Sequence, residues 1–287
     1  MYCMNCKMPI CLNRHTAGRG MTLPDFVDLA AAAGFQGADV DLSYGVEHGP
    51  AALADLYAKK SLVFGGCGIP FDWRGDEKNI PDGLSALEKQ ANIAAELKID
   101  TCCIHIMPSS ELPLHRNWHF HVQHLAPVAK LLADYGLRFG LEFVSPFHLR
   151  RKFPHEFIFT PMAMLELAAD IGPNCGLLVD SFHLHAAGEP MNTVARLKPE
   201  QIVMVHINDA PSAPLDKLDD RNRLLPGEGV IDLAGFFASL NSIGYAGPVS
   251  VEIFSDALRA MPMPQAARNA WTAAQKQIAS GIDLPQR

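Results

Sequence analysis

Apolar runs of strand length alternate along this chain with amphipathic stretches of helical length, and that alternation limits the fold more than any other feature. It implies repeated βα units feeding a parallel sheet. The runs number eight and cover residues 9–12, 37–42, 62–66, 101–107, 139–144, 176–180, 202–207 and 249–254. Between them stand helix candidates such as LPDFVDLAAAAG, AALADLYAKK, LSALEKQANIAAELK, LAPVAKLLADYG, TPMAMLELAADIG and LAGFFASLNSIG. Several begin after Pro, Thr or Asp and finish at Gly34, Gly136, Gly172 and Gly244. Those residues suit an N-terminal cap and a left-handed stop.

A repeat of about 30 residues is what eight units in about 250 residues would give, so the expected fold is α/β, a single (β/α)8 TIM barrel. With 287 residues and 48% hydrophobic content, one core is the economical reading. We take 1–287 as one domain, with 1–8 as an N-terminal extension and 260–287 as a C-terminal helix and tail. The longest irregular stretches, 145–159 and 208–229, are the expected binding loops.

Charge and cysteine content narrow the function. The balance of 24 basic against 31 acidic residues gives a net charge of -7, which opposes nucleic-acid binding. No stretch approaches the roughly 20 apolar residues of a membrane helix, and no export signal opens the chain; the expectation is a cytoplasmic protein with no membrane partner. Cys67, Cys102, Cys103 and Cys175 lie in apolar, strand-like surroundings and read as small reduced hydrophobes. Cys3 and Cys6 form a CxxC near Cys11. Without a second CxxC or a paired HxxxH they read as part of the extension, not of a zinc site.

The chemistry is carried by position. Each of the last four runs delivers a metal-ligand type of residue directly after its apolar stretch: Glu142 after FGL, Asp180 after GLLV, His206 after VMV and Glu252 after VSV. Barrel active sites are built from the C-terminal strand ends, so these four side chains are expected to converge. Three converging carboxylates without a cation would repel and be desolvated, at a cost of several kcal/mol. One divalent ion resolves that cost. Three carboxylates and one imidazole suit manganese first, then cobalt or magnesium, with zinc also admissible.

The segments LEFVSP, VDSFH, VHINDAP, RLLPGEG and SVEIF, in this order, resemble the xylose isomerase-like TIM barrels, and among them the tagatose and psicose 3-epimerases and the inosose-converting enzymes. The likeness runs from about Gly34 to Phe254 and is most specific in the second half. It implies Glu142, Asp180, His206 and Glu252 as metal ligands, with Glu142 and Glu252 doubling as the catalytic acid/base pair. It implies His183, three residues beyond Asp180, as a substrate contact. An arginine after the histidine strand completes such sites; Arg221 and Arg223 are both candidates, Arg223 preferred.

Chemically, a cation chelated by a carbonyl and its neighbouring hydroxyl favours an enediolate, and two opposed carboxylates move the proton. Return of the proton on the other face epimerises the carbon, return at the neighbouring carbon isomerises aldose and ketose, and loss of a β-hydroxyl dehydrates. The leading expectation is an isomerase or epimerase of a non-phosphorylated keto-sugar or inosose. A lyase (dehydratase) of a related polyhydroxy ketone is the alternative, and an apurinic-site endonuclease, which needs more histidine ligands and a basic surface, is remote. The sequence leaves open whether the chain forms a homo-oligomer.

Other residues weigh less. His105, inside the fourth run, is a candidate substrate contact. Asp39, inside the second run, matches the position where the resembled family often carries glutamate at the end of strand two, and is set aside. His115, His119, His121 and His124 lack HExxH spacing and read as a solvated helix start. Arg150, Arg151 and Lys152 read as a solvated charge run. Trp73 and Trp118 could stack on a sugar ring or anchor loops. Residues 226–229, PGEG, read as a backbone-shaping turn. Nothing resembles the glycine-rich phosphate loops found after strands seven and eight.

Overall fold

The computed structural model describes residues 8–282. Eight parallel strands run in the order β3-β2-β1-β8-β7-β6-β5-β4. They are β1 (Ile10–Leu12), β2 (Gly37–Ala38), β3 (Val63–Phe64), β4 (Thr101–Ile106), β5 (Arg138–Phe143), β6 (Cys175–Asp180), β7 (Ile202–Ile207) and β8 (Val249–Val251). The two outer strands meet just past β3, where Cys67 bridges Cys102 in parallel. Cys103 N donates to Cys67 O at 2.8 Å there. The curled sheet thus joins into the TIM barrel that the alternating runs implied.

All eight runs carry a barrel strand, but the early ones are short. The second run, expected over 37–42, contributes only two strand residues, because Asp41 caps a helix Leu42–His48 through its side chain to Ser43 N. A second helix, Pro50–Ala58, follows on Gly49. A short helix, Leu42–His48, therefore precedes the one expected over AALADLYAKK before β3.

Of the four expected glycine stops, Gly34, Gly136 and Gly244 have positive φ, whereas Gly172, at φ 176°, is extended. Gly34 is required twice over: φ is +104°, and a Cβ there would meet Trp271 Nε1 at 2.8 Å. Trp271 belongs to the C-terminal helix Met263–Ile282, whose Ala266, Ala267, Ala270 and Ala274 are buried at a spacing of three and four residues. That helix packs on the first, Leu23–Ala33. Of the expected extension 1–8 only Met8 is described, and it is buried at 3% exposure; Cys3 and Cys6 lie outside the described residues.

The histidine segment corrects a second expectation. Helix Leu114–Asp134 buries His121 and His124. Their Nδ1 atoms contact Asn117 O at 2.6 Å and Trp73 O at 2.8 Å, so only part of that segment is solvated. Among the described residues no helix is long and apolar enough to cross a membrane.

Candidate metal centre

Strand register brings the ligand-type residues together. His105 on β4 is level with Glu142 on β5, and Glu142 with Leu178 on β6. An irregularity between Leu177 and Leu178 then sets Asp180 level with His206 on β7. His206 is in turn level with Ser250 on β8, and Glu252 follows one residue past that strand. Registered residues of parallel neighbours face the same side, so these side chains point into the barrel mouth.

Glu142, Asp180, His206 and Glu252 are all buried, and one ligand atom from each lies within 4.8 Å of the other three. His206 Nδ1 stands 3.3 Å from Glu252 Oε2, 3.6 Å from Glu142 Oε1 and 3.9 Å from Asp180 Oδ2. Neighbouring ligands of a cation bonded at about 2.1 Å sit about 3–4 Å apart, so this spacing fits one ion. The stronger sign is that Glu142 Oε1 and His206 Nδ1 are buried with no hydrogen-bond partner. Orphaned buried polar atoms are rare and costly, about 1–3 kcal/mol each, unless something else binds them.

The four groups perturb one another strongly. Burial raises the Glu142 pKa, and the charge of Glu252 adds to it against the lowering by His206. Glu252 moves the other way: burial would raise it, but His206 and Arg223 prevail and hold it below the usual carboxylate range. His206 is raised well above its ordinary value, since Glu252 and Glu142 outweigh the burial that disfavours its charge. Without a cation, the proton on His206 offsets part of the carboxylate charge.

Arg223 packs against this set at 1% exposure. Its Nη1 donates to Asp180 Oδ2 at 2.8 Å and Glu252 Oε2 at 3.2 Å; its Nε and Nη2 donate to Asp220 Oδ1 at 3.0 and 2.7 Å. Nη2 is also 3.1 Å from His183 Nε2. Arg221, the other candidate, is on the surface beside Asp219, its side chain 76% exposed. His183 is buried one turn past β6, with Ser145 N 3.5 Å from its Nδ1. His105 is exposed at the mouth. Arg223, His183 and His105 therefore gather around one centre, and Arg221 does not.

Several participants escaped the sequence reading. Asn208 donates to both Asp180 oxygens, at 3.2 and 3.0 Å, and to Glu252 O at 3.1 Å. Asn13 donates to Glu252 Oε1 at 3.3 Å, and Asp220 clamps Arg223. The DAP that follows HIN offered a signal for one further residue, Asp209. Its carboxylate accepts from Gly227 N, Gly229 N and Ile231 N at 2.9 to 3.0 Å, shaping the PGEG turn.

A cavity of about 250 Å³ opens above the ligands, lined among others by Asn13, Arg14, His15, Asp39, His105 and Met204. Asp39, set aside in the sequence reading, is on its wall and accepts from Ser250 Oγ at 2.8 Å. Trp73 and Trp118 are anchors rather than lining groups: Trp73 is buried at 2% exposure, and Trp118 Nε1 donates to Asp170 at 2.9 Å. In the basic run, Arg150 pairs with Glu156 at 2.8 Å and lies over the Phe159 ring, while Arg151 and Lys152 are exposed.

Known proteins share this frame. The inosose isomerase of Bacillus subtilis is 32% identical over 131 residues, 45% of this chain and 45% of that protein. The 3-dehydroshikimate dehydratase of Pseudomonas putida is 29% identical over 252 residues, 85% of this chain and 38% of that longer one. The chain thus spans less than half the length of either relative. A solved xylose isomerase domain protein from Alicyclobacillus acidocaldarius superposes with a TM-score of 0.87 at 31% identity, over 96% of this chain and 99% of that one. The structure of the IOLI protein with a binding zinc atom gives 0.79 at 22% identity, over 96% and 100%, a likeness of fold. The family model described as xylose isomerase-like TIM barrel matches residues 27–278, and the chain belongs to that family.

Proposed function

We propose that the chain is a divalent-metal-dependent isomerase or epimerase of a non-phosphorylated keto-sugar or inosose. One observation carries the reading: four buried ligand-type side chains converge within 4.8 Å, with Glu142 Oε1 and His206 Nδ1 left unpaired at their centre. Glu142, Asp180, His206 and Glu252 would hold the ion, manganese by preference for an oxygen-rich set. When bound, the ion supplies Lewis-acid polarisation of a carbonyl and its adjacent hydroxyl.

The rest is done by the chain's own groups. Glu252, kept ionised by His206 and Arg223, takes the proton from the carbon beside the carbonyl. Glu142, whose burial favours the protonated form, returns one. Such opposed acid/base pairs typically contribute about 100- to 10,000-fold per step. Arg223 fixes the His183 ring by donating to its Nε2, and His105 offers a substrate contact from the mouth. The PGEG turn spends its amides on Asp209, so the place where barrels often bind phosphate has those donors already taken. That supports a non-phosphorylated substrate.

The test is solvent deuterium exchange by manganese-loaded protein across a panel of ketoses and inososes. Incorporation into a carbon-acid position, with isomeric product, is expected; absence of exchange throughout the panel would overturn the reading. A second reading, a lyase, draws on the 29% identity with the dehydratase across 85% of this chain. An unsaturated, ultraviolet-absorbing product would decide for it.

A further inference from the structure

Strand register sets three side chains in one row at the mouth. Leu12 is level with Ala38 on one side and with Val251 on the other, so Asn13, Asp39 and Glu252 each come one residue further on. Asn13 Nδ2 donates to Glu252 Oε1 at 3.3 Å, and Asp39 ends the row two strands from Glu252, about 10 Å along the sheet. Asp39 is outside the set of four whose ligand atoms cluster. Its backbone is tied on both sides: Asp39 N donates to Leu12 O at 3.0 Å, and Tyr57 Oη donates to Asp39 O at 2.8 Å. The residue lines the cavity and is only half-buried, so the carboxylate is the part that the cavity reaches. Oδ1 accepts from Ser250 Oγ at 2.8 Å. Among the described residues no group donates to Oδ2, and His206 and Arg14 act on the carboxylate through charge alone. Unlike Glu142 Oε1 and His206 Nδ1, this unpaired oxygen is not closed to solvent.

A carboxylate oxygen on a wall that a bound molecule shuts off from water is costly unless that molecule brings a donor. We propose that Asp39 is a specificity-determining residue, its Oδ2 accepting a hydrogen bond from a substrate hydroxyl remote from the carbon that reacts. The proposal rests on the reading of this cavity as the substrate site and adds which wall tells one polyol from another. The distance along the row puts that hydroxyl beyond the carbonyl and neighbouring hydroxyl that the metal centre would hold. Ser250 and the two backbone bonds fix the carboxylate in advance, so little ordering is left for the substrate to bring about. A site built to receive a hydroxyl rejects the analogue lacking it, because the acceptor is then shut in unpaired.

The experiment is calorimetric titration of manganese-loaded protein with D-fructose and scyllo-inosose, each beside the monodeoxy derivatives that lack one hydroxyl not adjacent to the carbonyl. For at least one of the two polyols, one deoxy derivative is expected to bind the parent about tenfold or more weakly than the full compound. Asp39→Leu, which roughly keeps the volume and removes the acceptor, should bring that pair within about threefold, with the penalties at the other positions as in the parent. Ser250→Ala leaves Oδ2 in place and should keep the penalty. Thermal melts check that the variants fold. Asp39→Asn serves if the leucine variant does not, and should keep only part of the penalty. A parent that binds neither polyol or binds every deoxy derivative as well as the full compound would overturn the proposal. So would an unchanged penalty in the Asp39 variant, an equal weakening of every probe, or a Ser250→Ala that copies the Asp39 variant; the last two would reduce Asp39 to a structural support. Deuterium exchange on the same two polyols is read separately. Exchange with a hydroxyl selectivity indifferent to Asp39 sinks this inference and leaves the isomerase reading standing; selectivity through Asp39 without exchange does the reverse.

Discussion

Arg223 donates to Asp180 at 2.8 Å from inside the barrel mouth, with both side chains essentially closed to solvent. The same nitrogen reaches Glu252 at 3.2 Å. One buried cation is thus shared by two of the three ligand-type carboxylates and fixes where their oxygens point.

Removing it should be severe. Arg223→Met leaves Asp180, Glu252 and Asp220 without their counter-charge, and breaking a buried ion pair from one side costs about 3–5 kcal/mol. We expect a fall of that order in chemical-denaturation stability of metal-free protein. Added manganese should restore a larger share of stability to the variant than to the parent, because the ion replaces the missing positive charge. Equal metal-induced gains in both would contradict the shared-counter-charge account.

Asp209 should matter for shape and not for the metal. Its carboxylate collects three amides of the turn after β7. Asp209→Ala loses hydrogen bonds to a charged group worth about 1.5–3 kcal/mol. Gly229→Ala would force a Cβ to 2.1 Å from Ala210 O and should displace the same turn. Both variants are expected to melt lower while still binding one equivalent of manganese; loss of the ion with unchanged melting would contradict this division.

These two residues also show how far the sequence could be read. Asp180, His206 and Glu252 were legible because each follows an apolar run, and run, period and barrel geometry agree. Asp209 and Asp220 were not, since both lie in the long loop after β7, where no period tells which carboxylate turns inward. The short second strand was misjudged for a related reason: Asp41 sits within the run read over 37–42, and only its side chain, seen capping a helix, shows that the strand has already ended. His121 and His124 looked solvated because helical spacing alone does not say that Trp73 O waits opposite His124.

Asp39 carries the pH dependence. Its pKa is pushed up to about 7 from 3.8, first by burial, against the lowering by His206 and Ser250. Because the folded pKa is the raised one, the folded state holds a proton that the unfolded chain has released. The stabilisation is complete below the unfolded value and is lost as pH rises through about 7. In chelator-treated protein, Asp39→Asn should therefore gain on the parent in melting temperature as pH goes from 4.5 to 8. A difference that stays constant with pH would contradict the assignment.

Glu142 and Glu252 should separate by role. Glu252→Gln removes the proton acceptor together with a ligand, and Glu142→Gln the returning acid together with a ligand. Each is expected to lower solvent-deuterium exchange by about 100-fold or more at saturating manganese. Exchange surviving in either variant at parental rate would remove that residue from the acid/base pair.

The central claim is that four strand ends hold one divalent ion. Elemental analysis of the purified protein beside Glu142→Gln and His206→Ala tests it most directly. One equivalent of manganese, cobalt, magnesium or zinc in the parent, with marked loss in both variants that still melt cooperatively, is the predicted result. A parent that takes up no divalent ion and whose melting is indifferent to chelator would contradict it.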